Sequence, residues 1–514
     1  GTASNLRITS AGTLSPGNSP GVLNLTGNLE IGGGTGAPTY RAEWDGLAGA
    51  GAVSGHDQVK VAGTVTLSPA STLAFTRSTG AFQPARGERA RILSNAAGTG
   101  DPAITGVFSD VTSTFSQGVV LDLTTGELIG TGLDLASTGK GTRGIGADFT
   151  KYSGLTDNAR TLLGAIQTDA FAADANGLQL RSATASGMVV RDLLIDATDA
   201  PFVTASKLSP ETYAADSSYA VRATRNYAET ALHATPVVQA KDISVFTAYT
   251  SLDAGRTESS LNQADYALDS AGFLLGGSTL VGNKLTVGAY GAFDNGNVDS
   301  DRRHGDVSGQ SYGLFGEYVL NTKRTLALTA AANLSSYDTD STRGTALGRA
   351  TAKSVGTNAN GLALGLRYDL GKAGRYGVSP YAGLNYVNAS TDAFTETGSV
   401  DALAVRSIDY TSLQGELGAR GFVMITEQFS LTGGLGLAQE FGDSSTSVGA
   451  RIASGGTTVF KVTSPGAGDT ELSAQLGVNY AITKALSVGA GAKISTLSDA
   501  DSTTSFHVGG SMKF

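Results

Sequence analysis

Hydrophobic residues occupy nearly every second position from about residue 243 to the terminal Phe514. A period of two is the period of a β-strand, because successive side chains point to opposite faces of a sheet. In one such segment Leu362, Leu364 and Leu366 alternate with Ala363, Gly365 and Arg367. About twelve such segments begin near residues 243, 267, 284, 308, 325, 356, 376, 406, 428, 470, 485 and 503.

The face opposite the hydrophobic residues is polar, small or charged, and it includes Glu317, Arg367, Glu416, Arg420, Glu440 and Lys493. A soluble barrel would place its large apolar side chains inside. Here the polar face must be the inside, so the apolar face meets lipid. Tyr318, Tyr368 and Tyr480 lie near strand ends, as in an interfacial aromatic girdle. Residues 237–514 are therefore predicted to form an antiparallel transmembrane β-barrel of about twelve strands, in a Gram-negative outer membrane.

The connections between the predicted strands alternate in length. Residues 321–323 and 426–428 are short enough for periplasmic turns. Residues 338–357 and 443–469 are long and polar, and we expect them to be extracellular loops.

Short alternating runs separated by Gly and Pro fill the first 135 residues, for example 22–26, 59–62 and 65–67. Their even spacing favours the stacked coils of a right-handed β-solenoid fragment. A sandwich of short strands is the alternative. The fold class is thus predominantly all-β.

Helical patterns occupy the region between the two β-rich parts. Residues 136–217 are predicted to be a helical linker, with Thr156 as the N-cap of one helix and Val189, Leu193 and Leu194 in a second. A third helix is predicted over residues 218–236, where Pro236 would end it. It bears Arg222, Arg225 and Glu229 and is unusually polar for a core helix.

Several classes of function are disfavoured by composition. The chain has no Cys, which excludes thiolate metal sites, cysteine nucleophiles and disulfides. Its net charge is −9 and it has no Lys/Arg block, so we expect no nucleic-acid partner. No pair of its four His residues has metal-ligand spacing. We therefore predict no catalytic, cofactor-binding or metal site.

Two sequence motifs contain a serine that could act as a nucleophile. Residues 17–21 fit the G-x-S-x-G pattern, which needs a strand before the serine and a helix after it. The strand-like residues that follow favour a solenoid turn. Residues 442–444, Gly-Asp-Ser, lie in a predicted barrel loop without further catalytic context. No secretory signal pattern opens the chain, so we interpret it as a processed or truncated product.

The last eight residues resemble the outer-membrane β-signal, a C-terminal pattern that ends in an aromatic residue. The positions that match are His507, Gly509, Met512 and Phe514. This resemblance implies recognition of the last strand by the barrel-assembly machinery.

Three further stretches resemble the autotransporter family of single-chain type V secretion. They are residues 13–27, which resemble the end of a β-helical passenger, and residues 155–159 and 208–214, which resemble segments before the family's barrel. The resemblance implies that the barrel exports its own N-terminal passenger to the cell surface. It also implies outer-membrane lipid, barrel-assembly machinery and periplasmic chaperones as partners of a monomer without a cofactor.

The resemblance further implies that the third helix threads the pore. Arg222 and Arg225 would then face an interior that contains Glu317, Glu416, Arg420 and Glu440. Buried charges need such partners. A helix outside the barrel is the alternative. Some family members cut this helix at an Asn-Asn pair, which this chain lacks, so we expect no self-cleavage of that type. A surface esterase and a passive porin-like channel remain the alternative functions.

Overall fold

The structure is a computed structural model of the chain. It describes residues 1–78, 81–134, 148–171, 179–196, 200–234, 243–256, 266–323, 325–370, 375–465, 470–497 and 502–514. The first part of the predicted linker, residues 136–147, and the predicted helix end at Pro236 lie outside the described residues.

The N-terminal part is a β-solenoid built from three parallel four-stranded sheets, with orders β1-β4-β7-β11, β2-β5-β8-β12 and β3-β6-β9-β13. Each successive coil adds one strand to each sheet, which excludes the antiparallel sandwich. Leu23, Val59 and Leu93 are register partners in three successive coils. The strands are β1 Thr2–Ala3, β2 Leu6–Ile8, β3 Thr13–Leu14, β4 Val22–Leu25, β5 Leu29–Ile31, β6 Thr39–Glu43, β7 Gln58–Val61, β8 Thr64–Leu67, β9 Thr72–Thr76, β10 Arg89–Arg91, β11 Leu93–Asn95, β12 Ala103–Gly106 and β13 Asp110–Ser113.

A fourth four-stranded sheet ends the solenoid and joins it to the linker. The hairpin of β14 (Gln117–Asp122) and β15 (Glu127–Asp134) pairs with β10, and β16 (Gln179–Leu180) of the linker pairs with β14. Arg191 of the linker donates to Asp122 and Glu127 on this hairpin. The linker is therefore fixed to the last solenoid coil by strand pairing and by ion pairs.

A buried carboxylate connects coils within the solenoid. Asp57 accepts hydrogen bonds from the backbone N–H of Gly21 at 2.7 Å and of Glu43 at 2.9 Å. Asp57 is fully buried, and burial raises the pKa of its carboxyl from 3.8 to about 6. The folded solenoid therefore favours the protonated carboxyl more than the unfolded chain does.

This shift predicts a pH dependence of solenoid stability. Below pH 4 Asp57 is protonated in both states, and above pH 6 it is ionised in both, so the contribution to the free energy of unfolding is lost as the pH rises through this window. Relative to Asp57→Asn, which does not titrate, the loss should be about 2–3 kcal/mol. Urea unfolding followed by fluorescence of Trp44, the single Trp and a buried solenoid residue, measures it. If the free energy of unfolding varies with pH in the same way for the two proteins, the raised pKa of Asp57 is contradicted.

Within the described residues, four α-helices and two 3₁₀ turns follow the solenoid. They are the turn Phe149–Lys151, α1 Asp157–Ala170, α2 Ala185–Ile195, α3 Pro201–Leu208, the turn Glu211–Tyr213 and α4 Ala214–Ala234. The Thr156 hydroxyl accepts from the Ala159 N–H, as predicted for a cap. Among the described helices, none combines the length and apolar character that a membrane crossing needs.

Two details of the helical region differ from the prediction. The pattern did not predict α3, which is short and starts at Pro201, a residue suited to a first helical position. The third predicted helix was placed over 218–236, but α4 begins four residues earlier at Ala214. The preceding 3₁₀ turn runs directly into α4, so its first turn needs no separate capping residue.

The C-terminal part is a closed barrel of twelve antiparallel strands in the order β17-β18-β19-β20-β21-β22-β23-β26-β27-β30-β31-β32. The last strand pairs with the first, and this confirms the predicted strand number and closure. The remaining strands are β17 Ile243–Arg256, β18 Tyr266–Val281, β19 Leu285–Asp299, β20 Arg303–Val319, β21 Leu326–Gly344, β22 Arg349–Tyr368, β23 Tyr376–Thr391, β24 Phe394–Thr395, β25 Leu403–Val405, β26 Ile408–Met424, β27 Phe429–Glu440, β28 Ser445–Ile452, β29 Phe460–Pro465, β30 Thr470–Ala481, β31 Leu486–Leu497 and β32 Ser502–Lys513.

The outer face of the barrel is apolar, and its side chains are uncovered by protein. Leu362, Leu364 and Leu366 point outward and are each nearly half exposed. Leu364→Lys should lower the free energy of unfolding in phospholipid vesicles by about 2–4 kcal/mol, because it places a charge in the hydrocarbon. Tyr376→Lys, at the periplasmic end of β23, should cost only about 0–1 kcal/mol. Equal effects would show that these two sites do not differ in membrane depth.

Two segments that the sequence predicted to be loops contain strands. Residues 338–357 are mostly strand, because β21 continues to Gly344 and β22 begins at Arg349. Residues 443–469 contain β28 and β29, which form a four-stranded antiparallel sheet with β24 and β25. We call this sheet the loop sheet. Its buried face, including Val448 and Val462, packs with the linker helices in one hydrophobic cluster. That apolar face is covered by residues almost 300 positions away, which the local pattern cannot show.

Candidate functional site: the helix-filled barrel lumen

The helix α4 lies inside the barrel. Its side chains contact strands on different sides of the wall: Tyr219 donates to Asp294 on β19, Thr224 to Ser335 on β21, and Arg225 to Ser412 on β26. Only a helix within the lumen can reach all three strands. The alternative of a helix outside the barrel is therefore wrong.

Wall glycines make room for the larger side chains of α4. A Cβ at Gly272 would lie 1.8 Å from the Tyr227 hydroxyl, and one at Gly296 would lie 2.6 Å from the Tyr219 hydroxyl. Substitution at either position would collide with the helix. These glycines face inward on β18 and β19, so the wall is shaped to hold this helix on one side of the lumen.

A charged cluster joins the periplasmic half of α4 to the opposite wall. Glu229 pairs with Arg420 at 3.0 Å and with Lys493 at 3.4 Å. Arg225 donates to the Ser412 hydroxyl at 2.6 Å and lies 3.9 Å from Glu440. Partners for these charges come from three strands, β26, β27 and β31, so the cluster spans a large part of the wall.

The predicted interior charges differ in whether they contact α4. Arg225, Arg420 and Glu440 lie at the helix as predicted. Arg222 donates to the Thr503 hydroxyl at 2.8 Å and not to any of the three predicted glutamates.

Two of the predicted glutamates find partners on the wall itself. Glu317 pairs with Arg367 at 3.1 Å, and Glu416 accepts from the Tyr381 hydroxyl at 2.5 Å. Their partners come from nearby strands of the barrel, because the curvature of the wall brings inward side chains of neighbouring strands together.

Glu229 connects the helix to the wall through two ion pairs that the sequence did not predict. Glu229 was noted on the helix, yet its wall partners were not identified. It lies four residues after Arg225, on the same helix face, and that spacing was the available signal. A second acid, Asp216, meets Arg303 in a fully buried pair that nothing in the local pattern indicated.

A cavity of about 240 Å³ remains between the periplasmic half of α4 and strands β17 and β30–β32. Its lining is polar and includes Asn226, His233, Lys493 and His507. This volume holds a few waters and is too small for a second chain segment. The helix therefore occludes the lumen without filling it completely.

The four residues of the predicted β-signal lie on β32 and just beyond it, next to the seam with β17. A Cβ at Gly509 would lie 2.5 Å from the Thr247 carbonyl oxygen, so this position requires glycine. His507 faces the lumen cavity. Met512 points outward, and so does Phe514, which is 69% exposed. The Phe514 N–H donates to the Ile243 carbonyl at 2.9 Å and extends the seam to the end of the chain.

The serine motifs lie in settings that differ from a nucleophile elbow. Ser19 occupies the turn between strands β3 and β4 of the solenoid, and a strand follows it. Asp443 follows the end of β27 and accepts from the Thr411 N–H. Within the described ranges, no group of three or more His, Cys, Asp or Glu residues could hold a metal ion.

Residues 248–493 match the family model described as the Autotransporter beta-domain. A comparison with curated proteins found no match.

Several solved structures resemble the chain. The translocator domain of the autotransporter NalP from Neisseria meningitidis aligns at 14% identity and a TM-score of 0.46, over 59% of this chain and 96% of that chain. The transport unit of the autotransporter AIDA-I from Escherichia coli aligns at 15% identity and 0.43, over 58% and 99%. The beta domain of the Bordetella autotransporter Brka aligns at 16% identity and 0.39, over 53% and 100%.

Proposed function

We propose that the barrel exports the chain's own N-terminal part to the cell surface, since residues 248–493 match the Autotransporter beta-domain. The barrel is a translocator unit inserted in the outer membrane. The residues that precede the barrel, including the solenoid at 1–134, are the exported passenger in this proposal.

The observation that carries the proposal is the path of the chain. Residues 206–217 lie at the end of the barrel where β20 begins and β21 ends, whereas Ile243 and Phe514 lie at the opposite end. The helix α4 connects the two ends through the lumen. A chain that begins outside, crosses the lumen and then forms the wall has the topology that export through its own barrel would leave behind.

The alternative functions lack comparable support. A passive porin-like channel would be served poorly by a lumen that α4 occludes through ion pairs such as Glu229–Arg420. A surface esterase would need an activated serine, and Ser19 lies in a strand-turn-strand segment. We therefore retain export as the proposed function.

The proposal includes partners for assembly and a surface location. We infer that the barrel-assembly machinery binds the outward Met512 and Phe514, that periplasmic chaperones hold the chain before insertion, and that outer-membrane lipid covers the apolar wall. A single barrel contains the complete lumen, which supports a monomer.

Surface labelling tests the proposal directly. The chain contains no Cys, so Val53→Cys places a single thiol on an exposed solenoid turn. A membrane-impermeant maleimide should label it on intact cells. The matched control is Ser487→Cys in the periplasmic half of the lumen, which should be labelled only after the outer membrane is permeabilised. Protection of the Val53→Cys thiol in intact cells, with labelling after permeabilisation, would reject export.

A further inference from the structure

Three arginines at the extracellular end of the barrel bind the chain just before it enters the lumen. They are Arg302 and Arg303, at the start of β20, and Arg343, near the end of β21. Arg302 donates to the Ser206 carbonyl at 3.1 Å, and Arg343 donates to the Lys207 carbonyl. We call these three residues the arginine clamp. The two carbonyls belong to the last turn of α3, where helix carbonyls lack intrahelical partners and favour a cation.

Arg303 recognises the first turn of α4. Its guanidinium donates to both oxygens of Asp216 at 2.8 Å and to the Thr212 carbonyl at 3.2 Å. It also lies 4.5 Å from the ring centroid of Tyr213. Both charged side chains are only 1% exposed. Both hydrogen bonds to Asp216 come from one guanidinium nitrogen. A buried ion pair of this kind loses much of its stability when its partner is displaced.

Arg343 joins the clamp to the loop sheet. It donates to both carboxylate oxygens of Glu396 at 2.7 Å, and both side chains are buried. The Tyr213 hydroxyl also donates to Glu396. Glu396 in turn accepts from the Leu403 N–H at 2.7 Å, at the start of β25. The chain between α3 and α4 is thus fixed to two barrel strands and to the loop sheet.

The positions of the two acidic residues on α4 allow the contacts with the arginine clamp in one register only. The helix contains two acids, Asp216 and Glu229. A slip of one turn would bring Thr212 or Ala220 to Arg303, and neither has a carboxylate. Asp216 meets Arg303 at one end of the lumen while Glu229 meets Arg420 and Lys493 at the other. The acids are 13 residues apart, about 20 Å along a helix, so both pairs form together in one position only.

We propose that the arginine clamp sets the register of α4 in the lumen: the pairing of Asp216 with Arg303 determines which residues remain there after export. This inference rests on the proposed export function. Arg302, Arg303 and Arg343 act as positioning residues, and the wall-facing cluster at Glu229 holds the other end.

The yield of an engineered disulfide between α4 and the wall measures the register of the helix. The hydroxyl oxygens of Thr224 on α4 and Ser335 on β21 lie 3.0 Å apart, midway between the two ion-pair ends. In a chain without other Cys, the pair Thr224→Cys and Ser335→Cys should form a disulfide under mild oxidation. Adding Arg303→Met should lower its yield at least about fivefold, because slipped registers become populated. Arg349→Ala, an exposed arginine at the start of β22, should leave the yield unchanged.

Additional variants keep the test decisive if Arg303→Met fails to assemble. Arg302→Ala leaves no buried carboxylate unpaired and should lower the yield by about twofold to threefold. Arg303→Lys retains the charge and should restore part of the yield. Unchanged yields in Arg302→Ala and Arg303→Met, with the Val53→Cys thiol labelled on intact cells, would overturn the proposed role of the clamp in setting the register and leave export standing. Loss of that surface label in the otherwise unaltered chain would instead reject export.

Discussion

Removal of α4, residues 214–234, should raise the single-channel conductance of the barrel at least about tenfold in planar bilayers. The wall of twelve strands would remain closed, and its inward face is polar, so an emptied lumen fills with water. The intact protein should conduct poorly, since α4 leaves a cavity of only about 240 Å³ beside it.

Removal of residues 1–134 is the matched control for this deletion. It shortens the chain by more residues but keeps α4 and the arginine clamp, so the conductance should stay low. A high conductance of the intact protein would contradict an occluding helix. An unchanged conductance after removal of α4 would show that another segment closes the lumen.

Deletion of Phe514 should reduce the amount of folded barrel in the outer membrane by about tenfold or more. The Phe514 ring points outward and is 69% exposed, so it makes few contacts with other protein residues in the folded barrel. A large effect would therefore arise during assembly, as expected if the last strand is recognised there. The heat-modifiable fraction of outer-membrane protein on gels, which reports folded barrels, measures the outcome.

Phe441→Ala provides the comparison for this deletion. Phe441 is an outward aromatic residue that is 65% exposed, but it lies after β27 and far from the chain end. We expect this substitution to leave the folded fraction nearly unchanged. Equal levels of folded barrel in all three proteins would refute the β-signal interpretation.

The parts of the fold that the sequence predicted are those set by local periodicity. The twelve barrel strands follow from alternation, since each strand has one face in lipid and one in the lumen. The cap of α1 at Thr156 follows from the preference of a hydroxyl for the free N–H groups of a first helical turn.

The parts that the sequence did not predict depend on contacts between distant residues. Asp216 and Arg303 are 87 positions apart, and neither has a distinctive neighbourhood in the sequence. The loop sheet was interpreted as polar loop because its strands are short and its apolar face is covered by the linker. The sequence predicted Glu317, Glu416 and Glu440 as partners of Arg222, but among the described residues Arg222 donates to the Thr503 hydroxyl on β32.

The central claim, that the chain exits through its own barrel, is tested most directly by photocrosslinking during export. A photoreactive residue at Gln414 would face the lumen, whereas one at Leu417 would face lipid. In pulse-labelled cells, we predict that position 414 first crosslinks to residues 1–134 and later to α4, while position 417 crosslinks to neither. Appearance of the solenoid at the cell surface without any crosslink from position 414 to it would contradict the account.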